Sequence, residues 1–241
     1  METKAECTLM DPRLANALID DEVLELHPEY TAVVIIASGL NPGPSSEASE
    51  AALIEAEAWA TAHLNGREPH ELPEVAVWRE AYAGFKVKPR DGRSSVEALM
   101  RRVKSGLPRI DRLTDIYNAV SVMQLMPIGG EDLNGYEGSA RLVVATGDET
   151  FDTIANGEPV EQLAEPGEIV WRDDRGVTCR RWNWRQCVRT RLNEATSEAL
   201  FIIDGLGPYS RARAEATAAD LIARLLVDSP NASFEQRTLG A

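Results

Sequence analysis

The segment Glu168-Ile-Val-Trp-Arg172, Asp173-Asp-Arg-Gly176 and Val177-Thr-Cys-Arg-Arg-Trp-Asn183 decides the fold class. Two short runs rich in apolar and β-branched residues flank an acidic, glycine-closed turn, the pattern of an antiparallel hairpin. Upstream, β character begins at Pro127, with Gly129-Gly-Glu-Asp132 read as a turn and Ser139 to Ala145 as a strand. Downstream, Leu200-Phe-Ile-Ile-Asp204 is a last strand, ended by Gly205 and Gly207. A helix from Ser210 to Val227 follows, with Ala214, Ala218, Leu221, Ile222 and Leu225 on its inner face. Before Pro127 the signals are mostly helical. An Ala- and Glu-rich helix runs from Ser45-Ser46 to about Leu64, a short one covers 73–83, and a third spans Arg112 to Met123. Between them Ser94 or Ser95 caps another helix, and Ser94 and Glu97 have capping-box spacing. A buried-type strand, Thr31-Ala-Val-Val-Ile-Ile-Ala37, precedes these, and Asp11-Pro12 opens a lead-in helix with Leu14, Leu18 and Ile19 on one face. Helices, then strands, then a covering helix predict an α+β fold, a mixed sheet with packed helices, rather than a doubly wound one.

The chain has 241 residues, 44% hydrophobic and 27% charged, enough apolar surface for a core. The apolar run Val33 to Ala37 is strand-sized, far short of the roughly 20 residues of a membrane helix, so no membrane partner is expected. The first residues lack a signal-peptide pattern. Cys7, Cys179 and Cys187 form no CxxC pair, which fits a reducing, cytoplasmic setting without disulfides. His27, His63 and His70 all lie in the first third of the chain, and no P-loop, GxSxG or GxGxxG occurs. Neither a metal nor a cofactor is expected.

The net charge of −14 argues against indiscriminate nucleic-acid binding. Yet residues 86–112 hold nine basic residues against three acids, and residues 172–191 hold seven against two. If these segments meet in space they form a confined anion-attracting surface; otherwise they are solvated arginines paired with nearby acids.

Four clusters could carry chemistry. Arg93 and Ser94 at a helix start offer a guanidinium and free N–H groups to an anion, or simply a cap. Asp115 and Asn118, three apart on one helix face, could bind an amine or fasten a loop. Gly129 and Gly130 permit close backbone approach, while Glu131 and Asp132 could accept from an ammonium or position a water. The run Arg180-Arg-Trp-Asn-Trp-Arg-Gln186 alternates aromatic and polar groups. As a strand it would put Arg180, Trp182 and Trp184 on one face, and Arg181, Asn183 and Arg185 on the other. Trp182 and Trp184 suit stacking on a base, with Arg185 and Gln186 reading its edge; Thr190 follows.

Taken together, Ser94-Ser-Val-Glu-Ala-Leu-Met-Arg-Arg-Val103, Leu107-Pro-Arg-Ile110, Asp115-Ile-Tyr-Asn-Ala-Val120, Gly129-Gly-Glu-Asp132 and Arg181-Trp-Asn-Trp-Arg-Gln186 resemble the freestanding B3/B4-domain proteins. These are similar to the B3/B4 module of the phenylalanyl-tRNA synthetase β subunit. The resemblance covers residues 85–205 best. It implies a B3/B4-like core over 85–241, with 1–84 as the N-terminal helical and strand part of the same module. It further implies a pocket that, in the synthetase, hydrolyses tyrosine misattached to phenylalanine tRNA. The histidine of the synthetase's P-M-H-A-F-D stretch falls here on Gly129, and a glutamate before a threonine falls on Ala195 before Thr196. No phenylalanine-activation domain is recognisable, so a complete tRNA ligase is not expected.

Two functions follow from the resemblance. One is a tRNA-directed module that hydrolyses mischarged aminoacyl-tRNA in trans, an aminoacyl-tRNA deacylase with Glu131 and Asn183 as catalytic groups. The other is a noncatalytic binder of RNA, a nucleotide or an amino acid. The expected partner is tRNA or aminoacyl-tRNA.

Overall fold

The computed structural model describes residues 10–84, 87–88 and 90–241. Cys7, with the rest of the chain before Met10, and Phe85, Lys86 and Pro89 lie outside the described residues. The first elements are α1 (Pro12–Ala15), β1 (Leu18–Ile19), α2 (Asp21–Leu26) and β2 (Thr31–Ser38). Helices α3 (Glu47–Leu64), α4 (Pro73–Gly84), α5 (Ser95–Arg102) and α6 (Arg112–Gln124) follow. Then come strands β3 (Ile128–Asp132), β4 (Arg141–Val144), β5 (Thr150–Ala155), β6 (Glu158–Leu163), β7 (Ile169–Arg172), β8 (Val177–Arg180), β9 (Arg185–Gln186) and β10 (Glu198–Gly205). Helix α7 (Ser210–Asp228) and strand β11 (Ser233–Gly240) close the order. The fold is α+β.

An antiparallel sheet runs β11-β2-β10-β3. Strand β2 is apolar at nearly every position because both of its faces are buried. Ala32, Val34 and Ile36 enter one core, which they share with α3, α4, α5 and Trp171. Val33, Ile35 and Ala37 enter the other, where Phe201 and Ile203 of β10 meet Leu113 and Ile116 of α6 and Ala218 and Leu221 of α7. A second sheet runs β1-β4-β7-β8-β9, with β1 parallel to β4 and the rest antiparallel, while β5 and β6 form a hairpin apart.

Several local expectations need correction. The lead-in helix stops at Ala15, and Leu18 and Ile19 pair instead with β4, Leu18 N–H donating to Ala140 O at 3.0 Å. Half of the expected capping box forms. Ser94 Oγ accepts from Glu97 N–H at 3.4 Å, but the Glu97 carboxylate turns to Arg79 at 2.6 Å and Arg101 at 2.9 Å. Gly129 to Asp132 is not a turn but strand β3, held by the register of Gly130 opposite Phe201. The hairpin's second strand ends at Arg180, and residues 181–184 form a turn. Arg181 (φ 46°) and Trp182 (φ 65°) adopt left-handed backbone there, which breaks the alternation a strand would impose.

Candidate functional site

Strand β3 points alternate residues to opposite sides. Gly129 and Glu131 line a cavity of about 330 Å³. Gly130 and Asp132 face the other way. A Cβ on Gly130 would come within 2.7 Å of Leu192 and 3.0 Å of Tyr117, so this glycine serves packing rather than a ligand. Asp132 fastens the following loops: it accepts from Asn134 N–H at 2.9 Å, Thr196 Oγ1 at 2.7 Å and Asn193 Nδ2 at 3.1 Å.

The opposite wall comes from the 181–184 turn and β9: Trp182, Asn183, Trp184, Arg185 and Gln186 all line the same cavity. The turn is fixed from several sides. Trp182 N–H donates to Ile169 O at 2.7 Å, and Tyr82 Oη donates to Arg181 O at 2.7 Å. The Trp182 ring sinks completely into a cluster with His27, Tyr30 and Trp78, at centroid distances of 4.8, 5.0 and 5.4 Å. Trp184 stays half-buried, flanked by the guanidinium groups of Arg181 at 4.3 Å and Arg185 at 4.8 Å. The two tryptophans therefore have different surroundings.

Glu131 is 3% exposed. Its Oε2 accepts from Gln186 Nε2 at 2.6 Å and from the Thr190 hydroxyl. Burial nonetheless pushes its carboxyl up to about 8, against these two hydrogen bonds, so the protonated form prevails at neutral pH. Asn183 is held at both ends: Oδ1 accepts from Tyr82 Oη at 3.1 Å, and Nδ2 donates to Asp204 Oδ2 at 3.2 Å. Asp204 also lines the cavity, although in the sequence it stands out only as a strand end. Its signal is a carboxylate closing an apolar strand, Leu200-Phe-Ile-Ile-Asp204.

Other expected site residues lie elsewhere. Asn118 lines the cavity, but its neighbour on the helix, Asp115, does not. Asp115 fastens the chain before α6, accepting from Ile110 N–H at 2.8 Å and Ser45 Oγ at 2.5 Å. Arg93 and Ser94 are also off the cavity wall; Ser94 caps α5, whereas Ser95, Leu99 and Arg102 of that helix reach the cavity. Thr190 stands behind Glu131 as its hydrogen-bond donor rather than on the wall.

The two basic segments do meet here, with fewer free charges than their composition suggests. Arg180 pairs with Glu168, Arg189 with Asp173, Arg101 with Glu97, and Arg109 with Glu50 and Glu57. Arg102 of the first segment and Arg185 of the second are exposed and both line the cavity, so they mark its solvent side.

Fold and cavity together define an α+β domain organised around an open, largely apolar pocket that carries a few polar groups and two exposed arginines. The sequence pattern of the B3/4 domain matches residues 77–223, and the chain belongs to that family. The matched span contains the 85–205 stretch on which the resemblance rests. Among solved structures, the chain is similar to an N-terminal fragment of the phenylalanyl-tRNA synthetase β subunit from Pyrococcus horikoshii. The two are 11% identical with a TM-score of 0.46, over 96% of this chain and 52% of that one. The chain thus spans about half the length of that fragment. No curated protein matches it. Among the described residues no helix is long and apolar enough to cross a membrane.

Proposed function

We propose that this B3/4-domain chain is a tRNA-directed module whose cavity accepts the aminoacyl end of a mischarged tRNA and hydrolyses its ester in trans. The observation that carries this reading is the convergence of Glu131, Asn183 and Gln186 on a cavity whose solvent side bears Arg102 and Arg185. An aminoacyl group on a terminal nucleotide presents a carbonyl and a side chain inward and phosphates outward. Exposed guanidinium groups suit those phosphates.

In this reading water attacks the ester carbonyl, the bond to the ribose oxygen breaks, and a proton passes to that oxygen. Free amino acid and tRNA leave. Protonated Glu131 has no partner on Oε1 among the described residues, and can donate a hydrogen bond to the carbonyl oxygen as charge develops there. The second amide hydrogen of Asn183 positions the water, its other groups being held by Tyr82 and Asp204. We also propose that residues 1–84 and 85–241 act as one module; the place of β2 between β11 and β10 supports this.

A deacylation panel of aminoacyl-tRNAs tests the reading. At least one mischarged species should lose its amino acid faster with protein than without. Glu131→Ala or Asn183→Ala should slow that by about 10²-fold, the usual effect of deleting one transition-state donor. No acceleration anywhere in the panel removes the hydrolase.

A second reading, a noncatalytic binder of RNA, a nucleotide or an amino acid, is favoured by Gly129 and Ala195, which lack the polar groups their synthetase counterparts carry. Salt dependence separates its variants. For tRNA, Arg102→Ala and Arg185→Ala should each reduce the slope of log affinity against log salt by about 0.7, the single-strand value for one phosphate contact. An affinity indifferent to salt would leave only an amino acid or another small ligand without phosphates.

A further inference from the structure

The deep wall of the cavity carries a carboxylate that the proposed hydrolysis does not use. Asp204 is 2% exposed. Its Oδ1 accepts from Tyr30 Oη at 2.5 Å and Trp171 Nε1 at 3.2 Å, whereas among the described residues Oδ2 accepts only from Asn183 Nδ2 at 3.2 Å. A carboxylate offers two acceptor sites on each oxygen. One site on Oδ2, on the side of the cavity-lining Asn183, is therefore still open. Among the described residues no lysine, arginine or histidine partners Asp204. The cations in the cavity wall, Arg102 and Arg185, are exposed at its solvent side. A buried carboxylate held only by neutral donors is costly unless a cation reaches it.

We propose that the ligand of this cavity carries a primary ammonium group, and that Asp204 receives it, with the rings of Trp171 and Trp182 in the same wall. The inference rests on the cavity being the substrate pocket, and it names the feature by which that pocket selects. Between the two buried carboxyls the choice is physical. Burial lifts Asp204 only to about 6, so it is ionised at neutral pH, whereas Glu131 is mostly protonated. The other titratable groups around Asp204 are Tyr30, Tyr82 on α4 and Cys179 on β8, all pushed upward by burial and hence neutral.

Titration calorimetry of the full chain at neutral pH tests this with small probes. L-Phenylalaninamide is compared with its N-acetyl derivative, and Nα-acetyl-lysinamide with its Nε-acetyl derivative. A preference of about tenfold or more for one free amine over its acetylated counterpart is expected, the scale of a charged hydrogen bond. The first pair reports an α-ammonium, the second a side-chain ammonium. Asp204→Asn, checked for folding by circular dichroism, should abolish the preference, and lowering the pH below about 6 should weaken amine binding in the wild type. Equal binding of amine and acetylated probes, no binding of any probe, or a preference that survives Asp204→Asn overturns the inference. The acetylation comparison uses the wild type, so it stands even if the variant does not fold. A deacylation panel without turnover would end the hydrolase reading and leave this result intact. Undiminished hydrolysis of N-acetylated aminoacyl-tRNA would rule out the α-ammonium, leaving the side-chain pair to decide.

Discussion

Glu168→Gln is expected to lower the unfolding free energy by about 3–5 kcal/mol, the cost of breaking a buried ion pair by removing one partner. Glu168 is 2% exposed and accepts from Arg180 Nη2 at 2.6 Å, Arg180 Nε at 3.0 Å and Arg181 N–H at 2.8 Å. Without its charge, the Arg180 guanidinium, itself only 8% exposed, is left without its close partner. Glutamine can satisfy a hydrogen bond but not the charge. The effect reaches the cavity, because Arg181 and Trp182 hold left-handed backbone that persists only while surrounding contacts over-determine it. Urea unfolding of the two proteins measures the loss. A difference below about 1 kcal/mol would mean that the pair behaves as a solvated surface bridge.

Glu131→Gln is expected to remove an alkaline loss of stability. The ordinary value of this carboxyl is 4.5, and in the folded chain burial raises it to about 8. Between those values the folded protein keeps a proton that the unfolded chain has lost. Stability therefore falls as pH rises through that window and levels off above it. The full span corresponds to about 5 kcal/mol. Asp204, raised from 3.8 to about 6, acts in the same direction at lower pH and is present in both proteins. At about pH 9 the glutamine variant should thus be more stable than the wild type by about 3–5 kcal/mol, and at about pH 5 the two should nearly coincide. Chemical denaturation at both pH values provides the measurement. Parallel pH profiles would show that Glu131 is solvated or ionised in the folded protein.

How much of this was legible in the sequence varies with the range of the forces involved. Strand β2, helices α3, α6 and α7 and the β7–β8 hairpin announce themselves through local periodicity and turn chemistry. Strand β11, Ser233-Phe-Glu-Gln-Arg-Thr-Leu-Gly240, does not, because as an edge strand it exposes polar residues and has no clean alternation. Nor does β3, where two glycines imitate a turn; its extension is imposed by pairing with β10. In the site, Glu131 and the 182–186 run stand out by composition. Asp204 does not, because its partners Tyr30, Trp171 and Asn183 come from distant parts of the chain. Similarly, Asp115 and Asp132 look like ligand groups until their partners in neighbouring loops are known.

The placement of β2 has a consequence for biogenesis. Thr31 lies opposite Gly205 on one side and Gly240 on the other, so both neighbours of this strand are synthesised long after it. An apolar, β-prone octapeptide must then leave the ribosome with no native strand to pair with, which makes nascent chains vulnerable to self-association and to capture by chaperones. Completion of the four-stranded sheet thereby waits for β11, and ribosome-bound chains stalled before Ser233 should remain sensitive to protease around β2.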